Sequence, residues 1–161
     1  MKLFLPVCLA VLLLPSSAAA CLCDTLATVE RAFSESSAVF TGRYIGAEYR
    51  KGIKDELVEI AIANDPKKSE YEVLVYKFEV REWWKGGSKS EAFLVTNHAR
   101  FADGTEMISD CDVGFEKGKN YLIYAYGDEK EYGTGACTRT RRMKRAKADI
   151  AALKRLTGRK S

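Results

Sequence analysis

The chain contains a single histidine, His98, and that scarcity removes most familiar catalytic arrangements at once. No H-E-x-x-H, G-x-S-x-G or phosphate-loop pattern occurs in its 161 residues. Carboxylates are plentiful, yet no pair stands out for acid–base work. The chain therefore reads as a non-enzyme with no cofactor of its own, and His98 as a surface or turn residue following a strand. Prolines number three, and only Pro66 lies beyond the first 20 residues. Internal repeats and domain breaks are missing too. At 47% hydrophobic and 30% charged, the composition excludes collagen-like, low-complexity and disordered chains and fits one globular domain.

Only one long apolar run is present. It extends from Leu3 to Leu14 behind the positive Met1-Lys2 start, breaks at Pro15-Ser16-Ser17, and meets Ala18-Ala19-Ala20. Charged start, apolar centre and small-residue cleavage site are the parts of a secretory signal peptide. The run is shorter than the roughly 20 residues a spanning helix needs, and Pro6 and Pro15 fit poorly with a buried helix. Residues 1–20 are thus expected to be removed, leaving 21–161 as a secreted domain, without a transmembrane segment, that begins at Cys21. Bacterial lipoprotein signals also end before a cysteine, so the alternative, for a bacterial chain, is a product that is periplasmic or lipid-anchored at Cys21. Against it, Ala18 stands where such signals want a Leu-like residue, and lipidation would leave three thiols.

Cys8 departs with the leader; Cys21, Cys23, Cys111 and Cys137 remain. An even count in an exported chain points to two disulfides, with three connectivities open. Cys21 and Cys23 lie too close for an easy mutual bridge, so each is expected to reach one distal cysteine. A metal cage of all four is the rival reading, but the spacing lacks the paired knuckles of structural zinc sites.

Hydrophobic periodicity predicts a helix over 25–36, capped by Asp24 or Thr25, and a strand over 38–50 with bulges near Gly42 and Gly46. Residues 51–70 read as a long loop or protruding ribbon. Strands follow at 71–84, 91–96 and 121–126, the last apolar enough to be buried on both faces. A closing helix over 143–157 carries the stripe Ala146, Ile150, Leu153 and Leu156 and stops at Thr157-Gly158. These elements predict a small closed β-barrel with helices at each end.

The formal charge of +4 hides a strong polarity. Residues 139–160 hold ten basic groups and one acid, Asp149, whereas residues 21–138 hold 15 basic and 21 acidic groups. An exported chain rarely meets nucleic acid, so an anionic polysaccharide, wall or lipid surface is the expected partner of the basic end. Arg139, Arg141, Arg142, Lys144 and Arg145 are the candidate contacts. The plainer alternative is a solvated helix face lying against the acidic body.

Sharper chemistry lies at the new N-terminus. A free α-amine has a pKa of about 7.7–8.0, so part of it is neutral near pH 7. Its lone pair and the carbonyl oxygen of the same residue can close a five-membered chelate on a metal. Catalytic zinc keeps one position open for water, and a rigid N-terminus could take that position. Disulfides at Cys21 and Cys23 would clamp such a wedge and leave Leu22 free to fill a specificity pocket.

The mature C-x-C start is followed by A-F-S-E-S-S-A-V-F-T-G-R-Y (Ala32 to Tyr44), F-E-K-G-K-N-Y-L-I-Y-A (Phe115 to Ala125) and T-G-A-C-T-R-T-R (Thr134 to Arg141). In order and spacing these segments resemble the tissue inhibitors of metalloproteinases, in their N-terminal netrin-like domain. The resemblance implies a mainly β fold, an OB-fold-like closed five-stranded barrel with flanking N- and C-terminal helices. It implies the pairs Cys21–Cys111 and Cys23–Cys137. It assigns zinc chelation to Cys21 and the specificity pocket to Leu22, with Cys23 and Asp24 completing the inhibitory contact. The zinc would be that of a target metalloprotease, and the inhibitor is expected to act as a monomer. The ribbon at 51–70 would make a secondary contact. Ser34 stands where the animal family has a third cysteine, and no partner cysteine follows Cys137, as loss of one whole bridge predicts. Asp24 and Leu22 also depart from the residues usual there. Netrin-like domains occur as non-inhibitory matrix-binding modules as well, and here such a module would use the basic C-terminal helix.

Overall fold

Thr28 starts the first helix, because its side-chain oxygen accepts a hydrogen bond from the Arg31 backbone N–H at 3.3 Å. The computed structural model describes residues 21, 23, 25–53, 56–65, 68 and 70–159. The predicted leader, Leu22 and Asp24 lie outside the described residues. Helix α1 spans Val29–Glu35, later than the periodicity suggested, since Thr28 supplies the cap. No basic residue stands in its last turn. Lys85 supplies that charge from elsewhere, donating to the carbonyls of Phe33 and Ser34 at 2.9 Å each.

Strand β1 is Ala38–Arg50, followed by α2 (Glu56–Asn64), β2 (Tyr71–Lys85), β3 (Glu91–Phe101) and β4 (Glu106–Met107). Then come β5 (Asn120–Gly127), β6 (Tyr132–Gly133), β7 (Arg141–Arg142), a 3₁₀ turn at Met143–Arg145 and α3 (Lys147–Thr157). β1 pairs antiparallel with both β2 and β5, and β2 with β3. A parallel pairing of Leu94 with Tyr132 and Val95 with Gly133 joins β3 to β6, and β6 joins β5. The ring β1-β2-β3-β6-β5-β1 is closed, an OB-fold-like five-stranded barrel. Register shifts fall at Thr41/Gly42 and Tyr44/Gly46, where the glycines let a 13-residue strand coil. A side chain on Gly42 would stand 3.0 Å from the Glu79 carbonyl.

Period-2 alternation divides two cores between the faces of the same strands. Phe40, Tyr44, Phe78, Leu94, Tyr121 and Ile123 fill the barrel. Val39, Leu122 and Tyr124 point the other way and meet Ala32 of α1, Trp84, Ala146 and Leu153 of α3. β5 is buried on both faces, as its apolar run predicts.

The segment 51–70 is not a bare loop or ribbon. Val58, one helical turn before Ile62, seats α2 on Val73, Ala99 and Phe101 in a third, smaller cluster. β3 also runs past Thr96 to Phe101, which places His98 inside a strand rather than after one. Its Nε2 lies 3.3 Å from the Tyr49 hydroxyl and 3.5 Å from Glu106.

α3 ends where expected, with Gly158 in the left-handed conformation at φ 68°. Its stripe is altered. Leu156 is 44% exposed, whereas Asp149, a charged residue, is 2% exposed. No helix among the described residues is long and apolar enough to cross a membrane.

Candidate functional site

Two disulfides draw the N-terminal segment onto one end of the barrel. Cys21 joins Cys111 and Cys23 joins Cys137, with Cα atoms 5.6 and 5.3 Å apart. All four cysteines are thereby engaged, so the metal-cage reading falls. Among the described residues no group of three or more His, Cys, Asp or Glu could hold a metal ion. Ser34 donates its hydroxyl to the Arg31 carbonyl at 2.8 Å within α1.

The loops receiving the bridges are themselves braced. The Ala136 N–H donates to the Cys111 carbonyl at 2.7 Å, which ties one loop to the other. The Asn97 N–H donates to the Asp112 carboxylate at 3.1 Å and holds the Cys111 loop against β3. Around Cys137 the tie is made by threonines. The Thr134 and Thr140 hydroxyls both reach the Tyr124 carbonyl, at 3.0 and 3.2 Å, and stand 2.8 Å from each other. Thr138 lies 3.0 Å from Thr134. A backbone that lacks strand pairing here is satisfied by short hydroxyl side chains instead. Cys21 is half-buried, while Cys23, Thr25 and Leu26 are exposed.

Arg139 joins this edge to the closing helix. Its Nε and Nη2 donate to the two carboxylate oxygens of Asp149 at 2.9 and 2.8 Å, and its Nη1 donates to the Ala27 carbonyl at 2.7 Å. The hydrogen bond with Asp149 raises the guanidinium pKa further, although burial opposes it. Tyr124 lies beside the pair. Burial first, and the Asp149 charge second, push its phenol up to about 12. Arg139 opposes that rise, but the Tyr124 hydroxyl has no hydrogen-bond partner of good geometry among the described residues.

This arrangement changes the standing of the basic cluster. Arg139 is held internally, and Arg141 donates to the Arg139 carbonyl at 3.1 Å with Asp149 at 3.8 Å. Arg142 pairs with Glu116 at 2.8 Å. Arg159 is held by Glu82 and the Trp83 carbonyl, each at 2.8 Å. Of the five expected polyanion contacts, Lys144 and Arg145 alone are exposed with no ion pair among the described residues.

Sequence reasoning missed Asp149 and the three threonines. Asp149 had a signal, being the sole acid in the basic end. The threonines had none, since hydroxyl ties depend on which strand end lies opposite. A cleft lined by Ile53, Glu59, Tyr71, Arg100 and Phe101 lies elsewhere, on the α2 side, and includes no residue of the disulfide loops. The chain matches no protein-family model and no curated protein.

Proposed function

We propose that the chain is an exported inhibitor of zinc metalloendopeptidases, of the kind its likeness to the netrin-like domain of the tissue inhibitors implies. The observation that carries this reading is the double tether of Cys21 and Cys23 to two loops that are hydrogen-bonded to each other. A binding segment ordered in advance loses little conformational freedom on association. Removal of residues 1–20 would free the Cys21 amine. The amine and the Cys21 carbonyl then chelate the target zinc and displace its water, while Leu22 fills the adjoining pocket. Cys23 and Asp24 complete the contact. The inhibitor contributes ligands and shape, and the metal belongs to the protease.

The deciding experiment compares the protein beginning at Cys21 with a version carrying one extra N-terminal Ala. Zinc-protease inhibition is expected to drop at least a hundredfold on extension, with circular dichroism unchanged. Equal inhibition by the two forms, or none by either, would sink the reading.

A second reading draws on the exposed Lys144 and Arg145, together with Lys147 and Arg155 on the outer side of α3. Those four cations fit a non-inhibitory module that binds an anionic polysaccharide.

A further inference from the structure

We infer that Arg139 is the positioning residue of the N-terminal edge, so that the closing helix sets the direction in which the edge points. This inference rests on the inhibitor reading and adds to it the internal part that orients the inhibitory segment. Between Cys23 and α1 the described backbone belongs to no helix or strand. Beside the packing of Ala27 against the Val39–Leu122–Tyr124 cluster, two directional anchors hold it: the Cys23–Cys137 bridge at one end and the Arg139–Ala27 hydrogen bond at the other. Both anchors return to the same short stretch, because Arg139 follows Cys137 by two positions. A bridge alone leaves the segment free to swing about its own bonds. A second attachment four residues along removes that freedom.

Arg139 suits the task for a geometric reason. Its planar fork meets both oxygens of Asp149, and the remaining Nη1 is then aimed at the Ala27 carbonyl. Lysine could satisfy the carboxylate or the carbonyl, but its single ammonium cannot hold a plane against both. Asp149 is in turn immobile. It is 2% exposed on α3, whose Leu153, with Ala146 just ahead of the helix, packs against Trp84, Leu122 and Tyr124 on the barrel wall. The order of support is barrel wall, α3, Asp149, Arg139, Ala27, and then the edge. A destabilised pair would loosen the edge while both disulfides stay closed.

The test uses the protein beginning at Cys21 in three variants: R139M/D149N, which removes both charges together, R139K, and V58A as a control. Val58 is fully buried in the separate α2 cluster, so V58A lowers stability without touching the edge. Backbone 15N order parameters at Leu26 and Ala27 are expected to fall from about 0.85 to below about 0.6 in R139M/D149N, with those of β5 unchanged. Dissociation from a zinc protease is expected to quicken about tenfold, with little change in association. R139K should fall between, and it carries the test if the double variant does not fold. V58A should leave edge order parameters and dissociation as they are. Unchanged order parameters at Leu26 and Ala27 in the Arg139 variants would overturn the brace. Lower order parameters with unaltered dissociation would overturn its positioning role. If the parent protein inhibits no zinc protease, the inhibitor reading and the positioning role fall together, while the order parameters still decide whether Arg139 holds the edge.

Discussion

Breaking either disulfide alone is expected to destabilise the protein less than its own loop length suggests. The bridges span 90 and 114 residues, which in the loop-entropy model correspond to about 4.6 and 4.8 kcal/mol for isolated crosslinks. They are not isolated, because Cys21 and Cys23 are two positions apart. With Cys21–Cys111 closed, forming Cys23–Cys137 adds a circuit that runs through the first bridge and then from 111 to 137. That circuit is about 28 residues long, worth about 3.6 kcal/mol. The same circuit serves if the order is reversed. Each single removal, C21A/C111A or C23A/C137A, should therefore cost about 3.6 kcal/mol, nearly the same despite unequal spans. Removing both should cost about 8 kcal/mol, more than twice a single loss and enough to unfold many domains of this size. Urea unfolding followed by fluorescence of the two tryptophans reads these values. A single variant that loses the full isolated-loop value, or two that differ by more than about 1 kcal/mol, would refute the shared-circuit reasoning.

Two glycines separate backbone conformation from steric contact. Gly86 and Gly104 have φ of 74° and 82°, but a side chain on Gly86 would collide with the Ser37 carbonyl, whereas Gly104 has open space. G104A should cost about 1–2 kcal/mol in a thermal or urea melt and G86A clearly more, and equal losses would remove the contact from the explanation. The Tyr124 phenol, pushed up to about 12, favours folding in its neutral form. Its contribution is complete below pH 10 and is lost as pH rises from there through 12. Burial also raises Tyr44, Tyr49, Tyr76 and Tyr132, so ultraviolet titration should show Tyr124 as the last of the eight tyrosines to ionise, and Y124F should abolish that final step. A folded protein whose tyrosines all ionise near pH 10 would contradict it. If the basic end binds polysaccharide, K144Q/R145Q should elute from a sulfated-polymer column at lower salt than the parent. Unchanged elution would remove those two residues from the contact.

Much of the barrel was legible in residue order. Alternating strand formers from Ala38 to Arg50 predict the observed bounds of β1, and the Gly42 and Gly46 positions predict its irregularities. The run from Tyr121 to Tyr126 is apolar at successive positions because its odd residues face the barrel and its even ones α1 and α3, until Tyr126 emerges half-exposed. α2 was not legible. Its buried Val58 and half-buried Ile62 gain their worth from Val73, Ala99 and Phe101, which no local window contains. His98 was misplaced because β3 continues past its most apolar stretch, sustained by pairing with Tyr71–Val73 and β4.

By itself the sequence determined the periodicities, the four cysteines beyond the leader-like segment and the division of charge. Those properties are local or additive, so order and composition carry them. Cysteine spacing left three connectivities open; the structure forms the two pairs that the resemblance implied, and tertiary structure alone decided which arginines face inward. Arg139 and Ala27 are 112 positions apart, and Asp149 meets Arg139 only because α3 is seated on the barrel. A charge pattern in residue order reports how many cations an end possesses. Whether a cation faces solvent or a buried carboxylate depends on the neighbours folding brings to it.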